Sequence, residues 1–154
     1  ILGRAERIAT YAVGSNAALA DYFAQSARRF GRSVITLHGR GQAAADDAIA
    51  IRRGDALLVL AFERTIPEVE LILDRARRKG AASVLITDRL GLAFRGRVSA
   101  TLNVERGDAG LFPLSAVVVA VLESLLLGLA GLDRARSLAT LEELGALRAR
   151  LPGA

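Results

Sequence analysis

Residues able to bind or ionise gather just past the apolar runs of this chain. Ser15 and Asn16 follow a run that closes at Val13, and His38 follows one that closes at Leu37. Glu63, Arg64 and Thr65 come after the continuous run Leu57, Leu58, Val59, Leu60, and Thr87 and Asp88 close the run ASVLIT. Ser15 and Asn16 stand at the start of a predicted helix, where outward-pointing N–H groups and the helix dipole favour an anion. Arg64 can give a carboxylate or phosphate a charge-assisted hydrogen bond. Glu63 and His38 are the side chains whose positions suit a general base. No pair of carboxylates is spaced for acid–base work, so no catalytic mechanism follows from the spacing.

Each residue also has a plainer use. Ser15 and Asn16 can equally be helix N-caps. Thr65 reads as a cap, because Glu68 completes a Thr-x-x-Glu capping box and Pro67 suits a first helical turn. Glu63 and Arg64 can form an exposed or intersubunit ion pair worth little. Asp88 can organise a turn, and a lone His38 can simply bond a loop.

The elements that must position these residues alternate. Strands are predicted over residues 7–13, 33–37, 57–60, 82–87 and 98–104, and helices over 17–30, 42–51 and 66–79. The run at 57–60 lacks polar alternation, as expected for a strand covered on both faces. Strand–helix alternation implies right-handed crossovers and a three-layer αβα sandwich. A mainly parallel sheet of about five strands in the flavodoxin-like order suits the length, and such sheets bind ligands at the carboxyl ends of their strands.

Residues 111–132 form an almost uncharged helix in which Glu123 is the sole charge. Hydropathy alone would mark a membrane span. A carboxylate near the centre of a span costs about 2.5–3.5 kcal/mol, however, and the last strand needs a covering helix. The expectation is a helix buried on two sides, by the sheet and by a second subunit. Asp133 is then placed to cap a tail helix within residues 132–151.

The 154 residues fit one domain, 1–154. Cysteine is absent and histidine occurs once, which excludes disulfides, thiolate chemistry and multi-His metal sites. No cofactor or metal is expected. No signal peptide opens the sequence, so the expectation is a cytoplasmic piece of a longer protein. Net charge is +5, but the basic groups Arg28, Arg29 and Arg32, Arg52 and Arg53, and Arg77, Arg78 and Lys79 sit at or just past helix ends, where they answer the helix dipole.

With these elements placed, the chain resembles a sugar isomerase (SIS) domain, and more narrowly the C-terminal effector domain of MurR/RpiR-type transcriptional regulators. AVGSN at residues 12–16, GDALLVLAF at 54–62, AASVLITD at 81–88, and the apolar helix followed by LATLEELGALRARL carry the resemblance. The resemblance implies a dimerising, non-enzymatic domain that senses a phosphosugar, sugar acid or similar anionic metabolite. DNA contact would come only through an N-terminal helix-turn-helix domain absent from this chain, and no membrane is involved. Two loops depart from the family pattern. Where the family often has G-x-G-x-S, Ala12, Val13, Gly14, Ser15 and Asn16 stand here. Where phosphosugar binders often have S-x-S-G-x-T, this chain has Ala61, Phe62, Glu63, Arg64, Thr65 and Ile66, without the serine hydroxyls and the glycine. The alternative is an aldose–ketose phosphosugar isomerase with Glu63 or His38 as base. A dinucleotide or flavin module is disfavoured, since Ala12, Gly14 and Ala17 replace G-x-G-x-x-G.

Overall fold

The computed structural model describes residues 1–107 and 114–152. After a short 3₁₀ turn, Leu2–Arg4, the chain runs through β1 (Arg7–Ala12), α1 (Asn16–Arg29), β2 (Val34–Leu37), α2 (Ala43–Ile49) and β3 (Asp55–Leu60). It continues as α3 (Pro67–Lys79), β4 (Ala82–Thr87), β5 (Ala100–Asn103), α4 (Ala116–Leu132) and α5 (Arg134–Arg148). The sheet order is β2-β1-β3-β4-β5, and every neighbouring pair is parallel. This is the expected flavodoxin-like αβα sandwich, with β3 at its centre.

Side chains alternate across β3 with the period of two that a pleated strand imposes. Leu58 and Leu60 join Ile8, Ala12, Val84 and Ile86 beneath Phe23 of α1 and Val118, Leu122 and Leu126 of α4. Leu57 and Val59 join Ala9, Tyr11 and Leu85 beneath Ile72 and Leu73 of α3 and Phe94 of the β4–β5 connection. All six residues of β3 are buried, including Asp55, which accepts two hydrogen bonds from Arg7 (2.8 and 3.0 Å) and one from the Arg52 N–H (2.7 Å).

Several expected boundaries move, and the start of α3 moves for a local reason. The predicted capping box does not form: α3 starts at Pro67, Ile66 is its N-cap in an extended conformation, and Thr65 makes no cap bond. A proline excludes the helical region for the residue before it, so Pro67 itself bars a start at Thr65 or Ile66. Glu68, freed from the box, accepts instead from the Gly41 N–H at 2.9 Å. Helix α2 is shorter than expected, which leaves Arg52 and Arg53 beyond it in the turn before β3. Strand β5 keeps only residues 100–103 of the expected 98–104 and forms the sheet edge. The apolar helix begins at Ala116; the part of its expected span over 111–113 lies outside the described residues.

Helix α4 turns Val118, Leu122, Leu126 and Leu129 to the core and leaves Val117 and Leu127 outward, Leu127 with 69 % of its surface exposed. Asp133 does cap α5, accepting from the Arg136 N–H at 3.2 Å. The end of α1 accommodates α5: Gly31 has φ +74, and a Cβ there would sit 2.7 Å from the Thr140 hydroxyl. Leu138, Leu141, Leu147 and Leu151 remain exposed along and just past α5. No single helix among the described residues is long and apolar enough to cross a membrane; the bent pair α4 and α5, meeting at 104°, passes by length and composition only.

Candidate functional site

The site is built where β3 leaves the sheet. Ala61 is still held by its N–H bond to the Ile86 carbonyl (3.1 Å), and Phe62 is buried. The chain then bends sharply. Glu63 adopts φ +66, the single positive φ outside glycine among the described residues, and the Arg64 N–H donates back to the Phe62 carbonyl at 2.8 Å. A bond from residue i+2 to residue i around a positive φ is the pattern of the strained γ-turn. Asp88, from the end of β4, holds that turn by accepting the Glu63 N–H at 2.9 Å. Its Oδ1 also accepts the Arg89 N–H at 2.7 Å, while Oδ2 takes Arg106 Nη2 at 3.2 Å. Burial pushes the Asp88 carboxyl up, but these N–H groups and the Arg106 guanidinium outweigh it and hold it below the usual carboxylate value.

Arg106 follows β5 and crosses to this loop. Its guanidinium lies 4.3 Å over the Phe62 ring, and Nη2 donates to Glu63 Oε1 at 2.8 Å. Stacking on an aromatic face is a favourable setting for a guanidinium. The side chain is only 8 % exposed, and its buried Nε has no hydrogen-bond partner among the described residues.

A second loop closes the other side. Gly39 and Gly41 bracket Arg40, and each is tied down. Tyr11 donates its hydroxyl to the Gly39 carbonyl at 3.0 Å, Asp47 accepts the Gly39 N–H at 2.6 Å, and Glu68 accepts the Gly41 N–H. Burial, with the charges of Glu68 and Asp47, pushes the Tyr11 phenol up to about 12, which keeps it a donor. The Gly41 N–H holds the Glu68 carboxyl below its usual value.

Between the two loops lies a cleft of about 360 Å³ at the carboxyl edge of the sheet. Gly14, Ser15 and Asn16 form one wall, Phe62, Glu63 and Arg64 another, and Arg40 and Arg106 stand at its sides. Ser15 occupies the N-cap position of α1 but makes no side-chain cap bond, and Asn16 is the first helical residue. Four of the residues singled out in the sequence therefore meet here: Ser15, Asn16, Glu63 and Arg64. Asp88 lies behind them as a support. His38, Thr65 and Thr87 are not among the lining residues. His38 is exposed beside Asp21 (3.5 Å), the buried Thr87 hydroxyl accepts from the Leu90 N–H at 3.1 Å, and Thr65 is exposed on the way to α3. Arg40, Phe62 and Arg106 were missed. Arg40 and Arg106 follow the ends of β2 and β5, so the strand-end rule that selected Arg64 selects them too.

Chemically the cleft is suited to an anion. It offers three arginines, a hydroxyl and an amide, and its one lining carboxylate is engaged by Arg106. Among the described residues no group of three or more acidic or His side chains is arranged to hold a metal ion. A larger hollow of about 1,020 Å³ lies at the opposite, amino-terminal edge, walled by Ile1, Arg4, Arg32, Asp133 and Arg136. There Arg32 is committed to the Gly3 and Leu129 carbonyls, so its guanidinium closes the frame of the domain.

Parallel sheet, strand order and carboxyl-edge cleft are those of a flavodoxin-like ligand-binding fold, and the sequence places the chain within it: residues 1–125 match the SIS domain family model, and the chain belongs to that family. No curated protein is a significant match. Among solved structures, the sugar isomerase domain of the RpiR transcription factor from Sphaerobacter thermophilus superposes with a TM-score of 0.85 at 20% identity, over 94% of this chain and 81% of that one. The Vibrio vulnificus NanR protein complexed with ManNAc-6P gives 0.82 at 18% identity, over 99% of this chain but 59% of NanR. A hypothetical protein from Methanococcus jannaschii, whose structure was taken to infer 3-hexulose-6-phosphate isomerase function, gives 0.69 at 14% identity, over 92% of this chain and 78% of that one. At these identities the likeness is one of fold.

The depressed Asp88 carboxyl has a measurable consequence. A group with a lowered native pKa stabilises the fold above its unfolded value of 3.8 and loses that contribution as pH falls through the lower native value. Asp88→Asn should therefore be less stable than wild type at neutral pH, and the gap should close as pH drops below 3.8. Urea denaturation of both proteins across that range measures it, and a pH-independent gap contradicts the charge-based role.

Proposed function

We propose that this chain is the ligand-sensing and dimerising domain of an RpiR-type transcriptional regulator, and that its effector is a phosphosugar, a sugar acid or a similar anionic metabolite. The observation that carries this reading is the set of arginines around the carboxyl-edge cleft, where Arg40, Arg64 and Arg106 meet Ser15 and Asn16. The likeness to the RpiR domain and to NanR supports it. Arg64 is exposed and makes no ion pair among the described residues, so its guanidinium is available to a ligand. DNA contact belongs to a separate domain, the setting is cytoplasmic, and the effector acts by favouring one arrangement of the two subunits over another, without which it would shift nothing.

A thermal-shift screen of phosphosugars, ManNAc-6P among them, and sugar acids should find a stabilising ligand. Arg64→Ala should weaken that ligand by about 1.5–3 kcal/mol, the range for a hydrogen bond to a charged group. The unliganded melting point should hardly move, because Arg64 is exposed. A severe loss of unliganded stability with affinity intact would make Arg64 structural.

The dimer is proposed to form through the outward apolar side of α4, where Val117 and Leu127 lie. Sedimentation should give a dimer or larger assembly for the wild type and a folded monomer for Leu127→Asp. A wild-type monomer at roughly tens of micromolar, a concentration that populates specific complexes, would refute it. The core-facing Val118 and Leu126 do not serve this test, since charge there would unfold the domain.

The isomerase alternative draws on the Methanococcus protein's inferred activity. It needs a free base over the substrate, whereas Glu63 is bonded to Arg106 and His38 lies outside the cleft. Aldose and ketose phosphates incubated with the protein should show no exchange at C2 by NMR. Turnover that disappears in Glu63→Gln would establish the isomerase instead.

A further inference from the structure

The Glu63–Arg106 pair has features of an occupied ligand site. Arg106 is nine-tenths buried, is clamped over Phe62, and lines the cleft, yet its buried Nε has no hydrogen-bond partner among the described residues. A buried guanidinium N–H without an acceptor is costly, and guanidinium and carboxylate or phosphate groups match best as a two-pronged fork. Glu63 supplies only one contact, Oε1 to Nη2, from a side chain 66 % exposed and a backbone held at φ +66. Asp88 supplies the other, at 3.2 Å to the same Nη2. Glu63 makes the shorter contact but is much the more accessible of the two acceptors, 66 % exposed against 14 % for Asp88.

We propose that Arg106 is the anion anchor of the cleft and that Glu63 fills it in the empty domain as a tethered competitor, so that a ligand binds by exchanging its own anionic group for the Glu63 carboxylate. The anion must present paired acceptor oxygens, as a phosphomonoester or a carboxylate does. One of them replaces Glu63 at Nη2 and another reaches Nε. Asp88 stays in place beneath Arg106, held by the Glu63 and Arg89 N–H groups. Exchange frees the Glu63 side chain at the one non-glycine residue with a positive φ among the described residues, so occupation of the cleft is felt first in the β3–α3 loop that carries Arg64. The inference deepens the reading of this cleft as an effector site and rests on it.

The test titrates inorganic phosphate and, separately, acetate into ¹⁵N-labelled protein at low ionic strength, following the Arg106 Nε–H resonance. Phosphate binding that moves this resonance is expected in the wild type. Glu63→Gln should bind phosphate about two- to fivefold more tightly, the range that corresponds to loss of an exposed ion pair. Glu105→Gln removes the same charge from an exposed neighbour and should show a clearly smaller gain. A preference for phosphate over acetate assigns the site to phosphomonoesters, and the reverse assigns it to sugar acids. Arg106→Lys should abolish the binding; if that variant does not fold, the comparison of the two glutamate variants decides alone. Equal gains in Glu63→Gln and Glu105→Gln, or no gain in Glu63→Gln, overturn the exchange and leave the effector reading standing. An absence of anion binding in every protein overturns both.

Discussion

Burial of β3 on both faces is the constraint on which the remainder of this structure depends. Leu57, Leu58, Val59 and Leu60 have no exposed surface. Fully burying such a side chain contributes about 1.5–3 kcal/mol, so the four together are comparable to the whole net stability of a typical domain, about 5–15 kcal/mol. A strand hidden on both faces requires a helical layer on each side, and parallel neighbours require crossovers, which α1, α2 and α3 provide. The geometry of the cleft follows. The centre of a parallel sheet delivers its polar loop where adjacent strands also end, and Phe62, Glu63 and Arg64 emerge beside Ser15 and Asn16 for that reason.

The loops at this rim have exchanged one chemistry for another without altering the frame beneath. Where the family resemblance led one to look for serine hydroxyls, the β3–α3 loop carries Glu63 and Arg64, and guanidinium groups from three different strand ends line the cleft. Such long side chains need support that hydroxyls do not. Phe62 supplies a surface for Arg106, Asp88 supplies a counter-charge, and the Tyr11, Asp47 and Glu68 bonds fix the backbone on either side of Arg40. Each support comes from an element already required by the core.

Much of the fold could be read from the order of apolar runs and glycine stops. The uninterrupted run at 57–60 marked the central strand, and the cap at Asp133 was visible as an acid before a new helix. What escaped was partly a nearest-neighbour effect and partly information of longer range. The capping box at Thr65 was a sound local pattern, but the φ restriction that Pro67 places on Ile66 prevailed. Which side of α4 meets the sheet could not be read from a helix that is apolar all round, because no polar stripe marks the outside. Within the site, Glu63 and Arg64 were legible because they adjoin the central strand. Arg106 could have been selected by its place just past a strand end, but its setting could not, since the Phe62 ring and the Asp88 carboxylate that hold it are distant in sequence and joined only by folding.

The buried fork between Arg7 and Asp55 sits at the opposite end of the same strands from the cleft. Asp55 is nearly inaccessible to solvent, whereas the Glu63 partner of Arg106 is mostly exposed. Mobile ions screen exposed charges over about 10 Å at 0.1 M salt and reach buried pairs much less. Rising ionic strength therefore loosens the domain unevenly: its base keeps its electrostatic lock while its rim loses one. The same scaffold is stiff at one end and tunable by the electrolyte at the other, so salt acts on this protein as a local softener of the cleft well before it acts on the fold.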